Sequence, residues 1–226
     1  MAYALKQMNN MKNKVIEAIN QNKIVAIIRG VESAKLIPLA EAMYDGGIRL
    51  MEITYSADGK ISDAETAANI KALAKHFEGK MYIGAGTVLT ENQVELTKNA
   101  GGQFIISPDT NKDVIEKTTS LGMVSMPGAL TPTEIQAAHR YGADFVKLFP
   151  VTNMGIDYVK AVKAPLSHIK LLAVGGINLD NIESYVKAGI SGFGIGTSIA
   201  DKTSIQNNDF AKITELAKAY TKAVEL

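Results

Sequence analysis

The chain has 226 residues, no cysteine, and a formal net charge of +1 from 24 basic and 23 acidic residues. The lack of cysteine excludes disulfides, thiolate nucleophiles and cysteine metal sites, and it suits a reducing, cytoplasmic location. The charges are scattered, which argues against a nucleic-acid partner, and no apolar run has the length of a membrane span or the character of a secretory signal. A composition of 46% hydrophobic and 21% charged residues indicates a folded globular protein, for which we expect small-molecule partners.

An amphipathic pattern over Met8–Asn20 predicts a leading helix, to which we assign residues 1–22. From residue 23 onward, short apolar runs alternate with longer helical patterns about eight times. The predicted strands lie at 24–29, 48–54, 81–85, 103–107, 123–126, 145–149, 170–174 and 192–195. The predicted helices lie at 33–45, 61–77, 91–100, 112–120, 133–141, 156–162, 179–188 and 210–223.

Residues at the predicted helix ends agree with these boundaries. Asp180 and Asp209 are of a type that caps helix starts, and Pro132 after Thr131 suits a first helical turn. Glycines follow most of the helical patterns, as is common at helix ends.

Eight strand–helix units in series predict a parallel sheet closed on itself. We therefore expect an α/β fold, a single (β/α)8 TIM barrel over residues 23–226 with an extra N-terminal helix, forming one domain over 1–226. An open doubly wound sheet is the alternative, and the number of units argues against it. In a barrel, ligand sites collect at the carboxyl ends of the strands.

Lys147 stands inside an apolar segment that predicts a buried strand. We expect Phe145, Val146, Leu148 and Phe149 to enclose it, and removal of water favours the neutral amine. A neutral lysine is a nucleophile for carbonyl carbon. The alternative is that the aliphatic stem carries the charge past the strand end into solvent. The segment alone leaves both open.

Three further polar groups fall at predicted strand ends. Alternation places Glu52 on the same strand face as Ile48 and Leu50, and Arg29 on the face of Val25 and Ile27. Thr87 adds a hydroxyl after the third strand. Each could be a structural partner for a neighbouring charge, but an amine, a carboxylate, a guanidinium and a hydroxyl at one barrel end together indicate an active site.

Glycine clusters follow the last two strands. Gly175-Gly176 and the segment Gly194–Ser198, which includes Gly196 and Thr197, allow backbone N–H groups to approach an anion. Loops after strands seven and eight of many barrels bind phosphate, and we prefer that interpretation to tight turns alone.

The three histidines, His76, His139 and His168, lie in helical or connecting segments, where we expect surface or structural roles. No His/Asp/Glu group at the strand ends has the composition of a metal site, and no serine or threonine there has a neighbouring base histidine. We expect neither a metal nor a cofactor.

In chain order, eight motifs resemble those of the 2-keto-3-deoxy-6-phosphogluconate aldolase family, which includes 4-hydroxy-2-oxoglutarate and 2-dehydro-3-deoxy-6-phosphogalactonate aldolases. The motifs are KIVAIIRG, GGIRLMEITYS, IGAGTVLT, FIISPD, MPGALTPTE, FVKLFP, AVGGINLDN and GIGTS. The resemblance covers nearly the whole chain. It implies a class I aldolase, a lyase on an eight-stranded barrel, without a metal and usually a homotrimer.

By this resemblance Lys147 is the Schiff-base lysine and Glu52 the acid/base. Arg29 and Thr87 match positions that hold the pyruvyl carboxylate, with Pro108 shaping that pocket. The phosphate-binding positions are Gly175, Gly176, Gly196, Thr197 and Ser198. The implied substrate is a small 2-oxo acid: a 2-keto-3-deoxy-6-phospho sugar acid gives pyruvate and glyceraldehyde 3-phosphate, and 4-hydroxy-2-oxoglutarate gives pyruvate and glyoxylate.

Two positions depart from the family pattern. Ser56 stands four residues after Glu52, where some members have arginine, and Arg29 could supply that charge. Val174 stands where gluconate-type members often have threonine, which leaves gluconate and galactonate types open. Two other functions also stay open at this point, a phosphosugar isomerase or epimerase and a non-catalytic phospho-acid-binding protein.

Overall fold

The computed structural model describes residues 2–225, with side chains described from residue 10 onward. Its nine parallel strands form one sheet, interleaved with helices. The strands are β1 (Ile24–Ile28), β2 (Leu50–Thr54), β3 (Tyr82–Gly86), β4 (Phe104–Ile106), β5 (Val124–Met126), β6 (Gly128–Ala129), β7 (Val146–Leu148), β8 (Leu171–Val174) and β9 (Gly192–Ile195). The helices are α1 (Ala2–Asn22), α2 (Ser33–Asp45), α3 (Asp63–His76), α4 (Glu91–Asn99), α5 (Lys112–Ser120), α6 (Pro132–Arg140), α7 (Gly155–Lys163), α8 (Ile182–Lys187), α9 (Lys202–Gln206) and α10 (Phe210–Ala223).

The barrel closes through one segment that Pro127 divides. β5, which matches the predicted strand at 123–126, pairs with β4. β6, which was not predicted, pairs with β7, so the two short strands bond to opposite neighbours. Pro127 has no N–H to donate, but its carbonyl accepts a hydrogen bond from the Lys147 N–H at 2.8 Å. The remaining neighbours follow in the order β4-β3-β2-β1-β9-β8-β7. The structure therefore confirms the (β/α)8 barrel, with its fifth strand in two pieces.

Alternation along the strands produces two apolar cores. Inward-facing residues form a cluster inside the barrel: Val25, Leu50, Phe104, Ile106, Val124, Met126, Phe145 and Leu172. Outward-facing residues such as Ala26, Met51 and Val146 pack in a larger cluster with the helices. A strand sends neighbouring side chains to opposite faces, so both faces of this sheet are buried.

Helix α1 covers the amino ends of the strands. Val15, Ala18 and Ile19 belong to the cluster inside the barrel. A half-buried ion pair adds to the contact, because Lys12 Nζ lies 2.9 Å from Asp144 Oδ1. The predicted leading helix over 1–22 is thus present, with Met1 outside the described residues.

Three helix boundaries test the predicted caps. Asp209 accepts a hydrogen bond from the Lys212 N–H at the start of α10, and Thr131 forms a capping box with Glu134 before Pro132, so both predictions are confirmed. The prediction for Asp180 is wrong, since Asn181 is the residue that precedes α8.

Helix α9 was not predicted, because its five residues are too short for a helical period to show. Within residues 2–225, no helix combines the length and the apolar character that crossing a membrane requires.

Candidate active site

Lys147 and Glu52 face one small cavity toward the carboxyl end of the barrel interior. Lys147 comes from β7 and Glu52 from β2, and their relative exposures are 7% and 2%. The cavity holds about 10 Å³, and its other walls are apolar or glycine: Val25, Ile27, Ile106, Leu172, Val174 and Gly194. A volume of this size is near the smallest that admits one water molecule. An amine and a carboxylate therefore face one small space whose other walls are apolar.

The enclosure of Lys147 differs from the prediction in one respect. Val146 and Leu148 point outward and pack among the helices, so they do not enclose the lysine. Phe145 shares the inward face with Lys147, and the Lys147 Nζ lies 4.5 Å from the centre of the Phe149 ring. Alternation explains this result, because residues directly before and after a strand residue occupy the other face.

Burial lowers the pKa of the Lys147 amine from its ordinary value of 10.5. Loss of water is the largest cause; Glu52 opposes the shift and Arg29 adds to it. The Phe149 ring also favours the charged form, but contact with one ring is a smaller effect than full desolvation. The amine therefore loses its proton at a lower pH than a surface lysine does.

Burial also raises the pKa of Glu52 from 4.5 to about 7, against the opposing charges of Lys147 and Arg29. Its Oε2 is buried and has no hydrogen-bond partner among the described residues. A buried carboxylate oxygen without a partner is costly, and it is a feature that active sites often retain. Glu52 can therefore hold or release a proton near neutral pH.

Gly86 provides the space that the Glu52 carboxyl group occupies. A Cβ atom on Gly86 would lie 2.3 Å from Glu52 Oε1 and 2.5 Å from its Cδ. Gly84, two residues earlier on the same face of β3, makes room in the same way for the ring of Phe104. The inward face of β3 at these two positions thus lacks side chains, which lets Glu52 fold over it.

Arg29 and Thr87 lie together at the rim of the barrel. The Arg29 guanidinium donates a hydrogen bond of 3.2 Å to Thr87 Oγ1. Thr87 has a φ of 54°, a left-handed conformation that is unfavourable for a β-branched residue. Such strain is often found at functional sites. The guanidinium and the hydroxyl, which we expected at the same end of the barrel, thus lie in contact there.

Pro108 is placed differently from the cavity residues. It is half-buried, and its carbonyl oxygen would lie 2.2 Å from a Cβ on Gly128, so it packs against β6. It does not line the cavity between Lys147 and Glu52, whereas Val174 does.

The two glycine clusters leave backbone donors open. Gly175 and Gly176 have φ values of 92° and 74°, which favour glycine whether or not a ligand binds. The carbonyl of Gly196 accepts hydrogen bonds from Ile199 and Ala200 and thereby starts a short turn. In residues 2–225, the N–H groups of Gly176, Thr197 and Ser198 donate to no other protein group. These N–H groups are the kind of donor that a phosphate uses.

A larger cleft of about 480 Å³ adjoins the small cavity between the loops after β1 and β9. Arg29, Gly196 and Thr197 lie on its wall. Residues that were not singled out from the sequence complete it: Ile27, Gly30, Val31, Glu32, Lys35, Ala200, Lys202, Ile205 and Gln206. Alternation placed Ile27 on the same strand face as Val25 and Arg29 but gave it no role, and the sequence gives no sign that Lys35 and Lys202 lie at the cleft.

The histidines lie outside this site. His76 is exposed and pairs with Glu41 at 3.0 Å, and His139 packs edge-on against His168. No group of three His, Cys, Asp or Glu side chains suited to a metal ion occurs in the described part of the chain.

The fold and the amine–carboxylate pair at the carboxyl ends of its strands are features of a barrel aldolase. The family model for KDPG and KHG aldolase (2-keto-3-deoxy-6-phosphogluconate and 4-hydroxy-2-oxoglutarate aldolase) matches residues 15–216, and the chain belongs to this aldolase family.

Individual relatives agree with this assignment. The chain is 32% identical over 203 residues to a 2-dehydro-3-deoxy-6-phosphogalactonate aldolase of Escherichia coli, covering 89% of this chain and 96% of the relative. It is 30% identical over 213 residues to a 2-dehydro-3-deoxy-phosphogluconate aldolase of Haemophilus influenzae, covering 93% and 97%. A solved KDPG aldolase of Legionella pneumophila, with pyruvate captured as a covalent carbinolamine intermediate, superposes with a TM-score of 0.81 at 28% identity, covering 90% of this chain and 96% of that chain.

Proposed function

We propose that this aldolase cleaves a 2-keto-3-deoxy-6-phospho sugar acid to pyruvate and glyceraldehyde 3-phosphate through an imine on Lys147. The observation that carries the proposal is the cavity that Lys147 and Glu52 share in the barrel interior. The covalent pyruvate species in the Legionella relative supports the same chemistry.

The reaction follows from the protonation of the two groups. The neutral Lys147 amine attacks the C2 ketone, and loss of water gives an iminium ion that can accept electrons. Glu52 takes the proton of the C4 hydroxyl as the C3–C4 bond breaks, which releases the aldehyde and leaves an enamine. Protonation of the enamine at C3 and hydrolysis of the imine then release pyruvate and restore both groups.

The pKa of Glu52 suits this relay. A carboxyl group with a pKa of about 7 is partly protonated and partly ionised at neutral pH. It can therefore give a proton to the departing water during imine formation and accept one during cleavage. A surface carboxyl group with a pKa near 4.5 would be ionised at neutral pH and could serve only as a base.

Arg29 and Thr87 are proposed to bind the C1 carboxylate of the substrate. A guanidinium and a hydroxyl that already touch each other offer adjacent donors to one carboxylate. Pro108 contributes to this pocket through the loop after β4, indirectly, since its contacts are with β6.

The phosphate group is proposed to bind the free N–H groups at the two glycine clusters, Gly175-Gly176 and Gly196-Thr197-Ser198. Three of these residues, Gly176, Thr197 and Ser198, have N–H groups without a protein acceptor among residues 2–225. Gly196 and Thr197 also line the 480 Å³ cleft, which gives the phosphorylated end of the substrate room beyond the reaction cavity.

Val174 is proposed to set the preference at C4. Its apolar side chain lines the cavity, so it offers no hydrogen bond to a C4 oxygen. We therefore expect the galactonate-type acid to be preferred, and Val174→Thr to raise kcat/KM for the gluconate type relative to the galactonate type by about 10-fold. An unchanged ratio would remove Val174 from the specificity assignment.

A substrate panel tests the activity as a whole. Pyruvate release is followed with lactate dehydrogenase and NADH for the gluconate-type acid, the galactonate-type acid and 4-hydroxy-2-oxoglutarate. We expect turnover of the phosphorylated acids and slower turnover of the unphosphorylated one. Equal kcat/KM values for phosphorylated and unphosphorylated acids would contradict the phosphate assignment.

The assembly and location are further proposals. Membership of the family favours a homotrimer, and light scattering should then give three times the chain mass of 24.2 kDa. A monomer mass would contradict it. A cytoplasmic location stays a prediction from the cysteine-free sequence. A single domain over residues 1–226 also stays a prediction.

A further inference from the structure

Gln93 joins the loop after β3 to the start of α3. It lies in the first turn of α4 and is buried, with a relative exposure of 9%. Its Oε1 accepts a hydrogen bond of 2.8 Å from the Leu89 N–H, and its Nε2 donates to the two Asp63 carboxylate oxygens at 3.2 and 3.3 Å. An N–H requires an acceptor and a carboxylate requires a donor, so the amide satisfies both partners in one orientation only. The side chain therefore fixes the position of Leu89 relative to Asp63.

The loop that Gln93 holds contains Thr87. This residue lies two positions before Leu89, and its φ of 54° is unfavourable for a β-branched side chain. Such a conformation persists only where the surrounding structure fixes it. After Thr87, the chain is held by a hydrogen bond of 3.3 Å from the Val88 N–H to the Ile106 carbonyl and by the shorter one from Leu89 to Gln93. The conformation of Thr87 therefore depends on the Gln93 side chain.

The backbone of Gln93 is itself tied to the strands that carry the site. Tyr55 directly follows β2 and is buried. Its N–H donates to the Gly86 carbonyl at 2.9 Å, and its hydroxyl donates to the Gln93 carbonyl at 3.2 Å. These bonds join the first turn of α4 to the carboxyl ends of β2 and β3. Loss of the Gln93 amide would thus release the loop while the helix keeps its place.

We infer that Gln93 is a positioning residue for substrate binding, because it holds the loop after β3 in the conformation that keeps the Thr87 hydroxyl beside Arg29. This inference rests on the proposed binding of the C1 carboxylate by those two residues. Gln93 lines neither the 10 Å³ cavity nor the 480 Å³ cleft, so it acts through the loop and not by contact with the substrate.

The test compares two ketones, pyruvate and methyl pyruvate, in reductive trapping on Lys147 with cyanoborohydride. Both can form the imine, but the methyl ester has no carboxylate charge. The ratio of their second-order trapping rates, measured per folded molecule, isolates carboxylate binding and cancels changes in the reactivity of the amine. Gln93→Leu can neither accept nor donate a hydrogen bond. We expect it to lower the pyruvate/methyl pyruvate ratio about 10-fold, the size of a lost hydrogen bond to a charged group.

A pair of substitutions tests the same contact in a second way. Gln93→Glu keeps an acceptor for the Leu89 N–H but places a second carboxylate against Asp63, so it should also lower the ratio. Adding Asp63→Asn replaces this repulsion with an amide donor and should return the ratio to near its native value. A ratio that the second substitution fails to restore would contradict the inference.

Thr97→Val is the matched control. Thr97 is a buried residue of α4 whose hydroxyl donates to the Gln93 carbonyl at 2.8 Å, so its loss should lower stability without removing the Gln93 amide. We expect the native ratio in this variant. An equal fall in Thr97→Val, or an unchanged ratio in folded Gln93→Leu, would overturn the inference.

Arg29→Met separates this failure from failure of the proposed function. If Arg29→Met lowers the ratio and Gln93→Leu does not, the role of Gln93 is wrong. If Arg29→Met leaves the ratio unchanged, the assignment of the carboxylate site is wrong and this inference falls with it. If the native enzyme forms no adduct with either ketone, the imine mechanism is wrong as well.

Discussion

Glu52 is the residue whose charge changes within the neutral range, since burial raises its pKa to about 7. Above that pH the carboxylate can accept the C4 hydroxyl proton, and below it the group is already protonated. The lowered pKa of Lys147 acts in the same direction, because the neutral amine also forms as pH rises. Because imine formation uses the protonated form of Glu52 and cleavage uses the ionised form, we expect steady-state pyruvate release to rise toward a maximum near pH 7 and to fall at higher pH.

Replacing Glu52 with Gln separates the two contributions. The variant should lose about 10²-fold in kcat, the usual size of acid–base help. Without the Glu52 charge, which raises the Lys147 pKa, the remaining rise should move to lower pH. A variant with native kcat and an unchanged pH profile would exclude Glu52 from the reaction.

Gly86 allows a second test at single-residue scale. Gly86→Ala places a methyl group on the Glu52 carboxyl, and displacing a catalytic group by about 1 Å can cost about 10²-fold in rate. Gly84→Ala is the matched control, because it overpacks the same strand face against Phe104 and not against Glu52. Both glycine-to-alanine substitutions should lower the free energy of unfolding, measured with urea, by roughly 1–3 kcal/mol.

Only Gly86→Ala should lose turnover when rates are compared per folded molecule. Equal turnover in the two variants would show that the position of the Glu52 carboxyl group is unimportant.

Alternation along strands was enough to predict that Lys147, Glu52 and Arg29 meet at one end of the barrel. The prediction that Val146 and Leu148 enclose Lys147 was wrong, and the same alternation rule explains why, because it directs both side chains outward. The role of Gly86 could not be predicted, because it depends on the approach of a side chain from a neighbouring strand. The face that a residue occupies can be read from its own strand. The contact between Glu52 and Gly86 depends in addition on the register between β2 and β3.

Among the elements, α1 contributes stability by filling the barrel's amino end. Ile19 is fully buried in the inner cluster, whereas Ile16 on the same helix is only partly buried. Ile19→Ala should lower the free energy of unfolding by about 2–5 kcal/mol, and Ile16→Ala by less. Urea unfolding at unchanged m-value measures this.

Both α1 variants should still form the pyruvate adduct while folded, because the helix lies at the end of the barrel opposite to the site. Similar losses for Ile16 and Ile19, or loss of the adduct in a folded variant, would contradict this account of α1.

Among the elements, the limits of three helices agree with the prediction residue by residue. Helices α2, α5 and α10 have the predicted limits, 33–45, 112–120 and 210–223. The predicted strand at 123–126 ends before Pro127, as β5 does, but β6 was not predicted, because its two residues are too few to show a strand pattern. Helix α9 spans five residues, fewer than two helical turns, and so left no period to detect.

At the scale of the whole molecule, the barrel arranges an apolar interior with one open end. Helix α1 covers the amino ends, and the carboxyl ends present the cavity and the cleft. The repeated strand–helix series was sufficient to predict this closure. The sizes of the cavity and cleft were not predictable, because they are set by loops and by side chains from separate strands.

The most direct measurement is mass spectrometry of the protein after incubation with pyruvate and sodium borohydride. Reduction of the imine should leave a stable pyruvyl adduct on one peptide, the one that contains Lys147, and Lys147→Arg should abolish it. If Lys147 stays unmodified in folded native protein after treatment with pyruvate and borohydride, the proposal that this buried amine carries the reaction is contradicted.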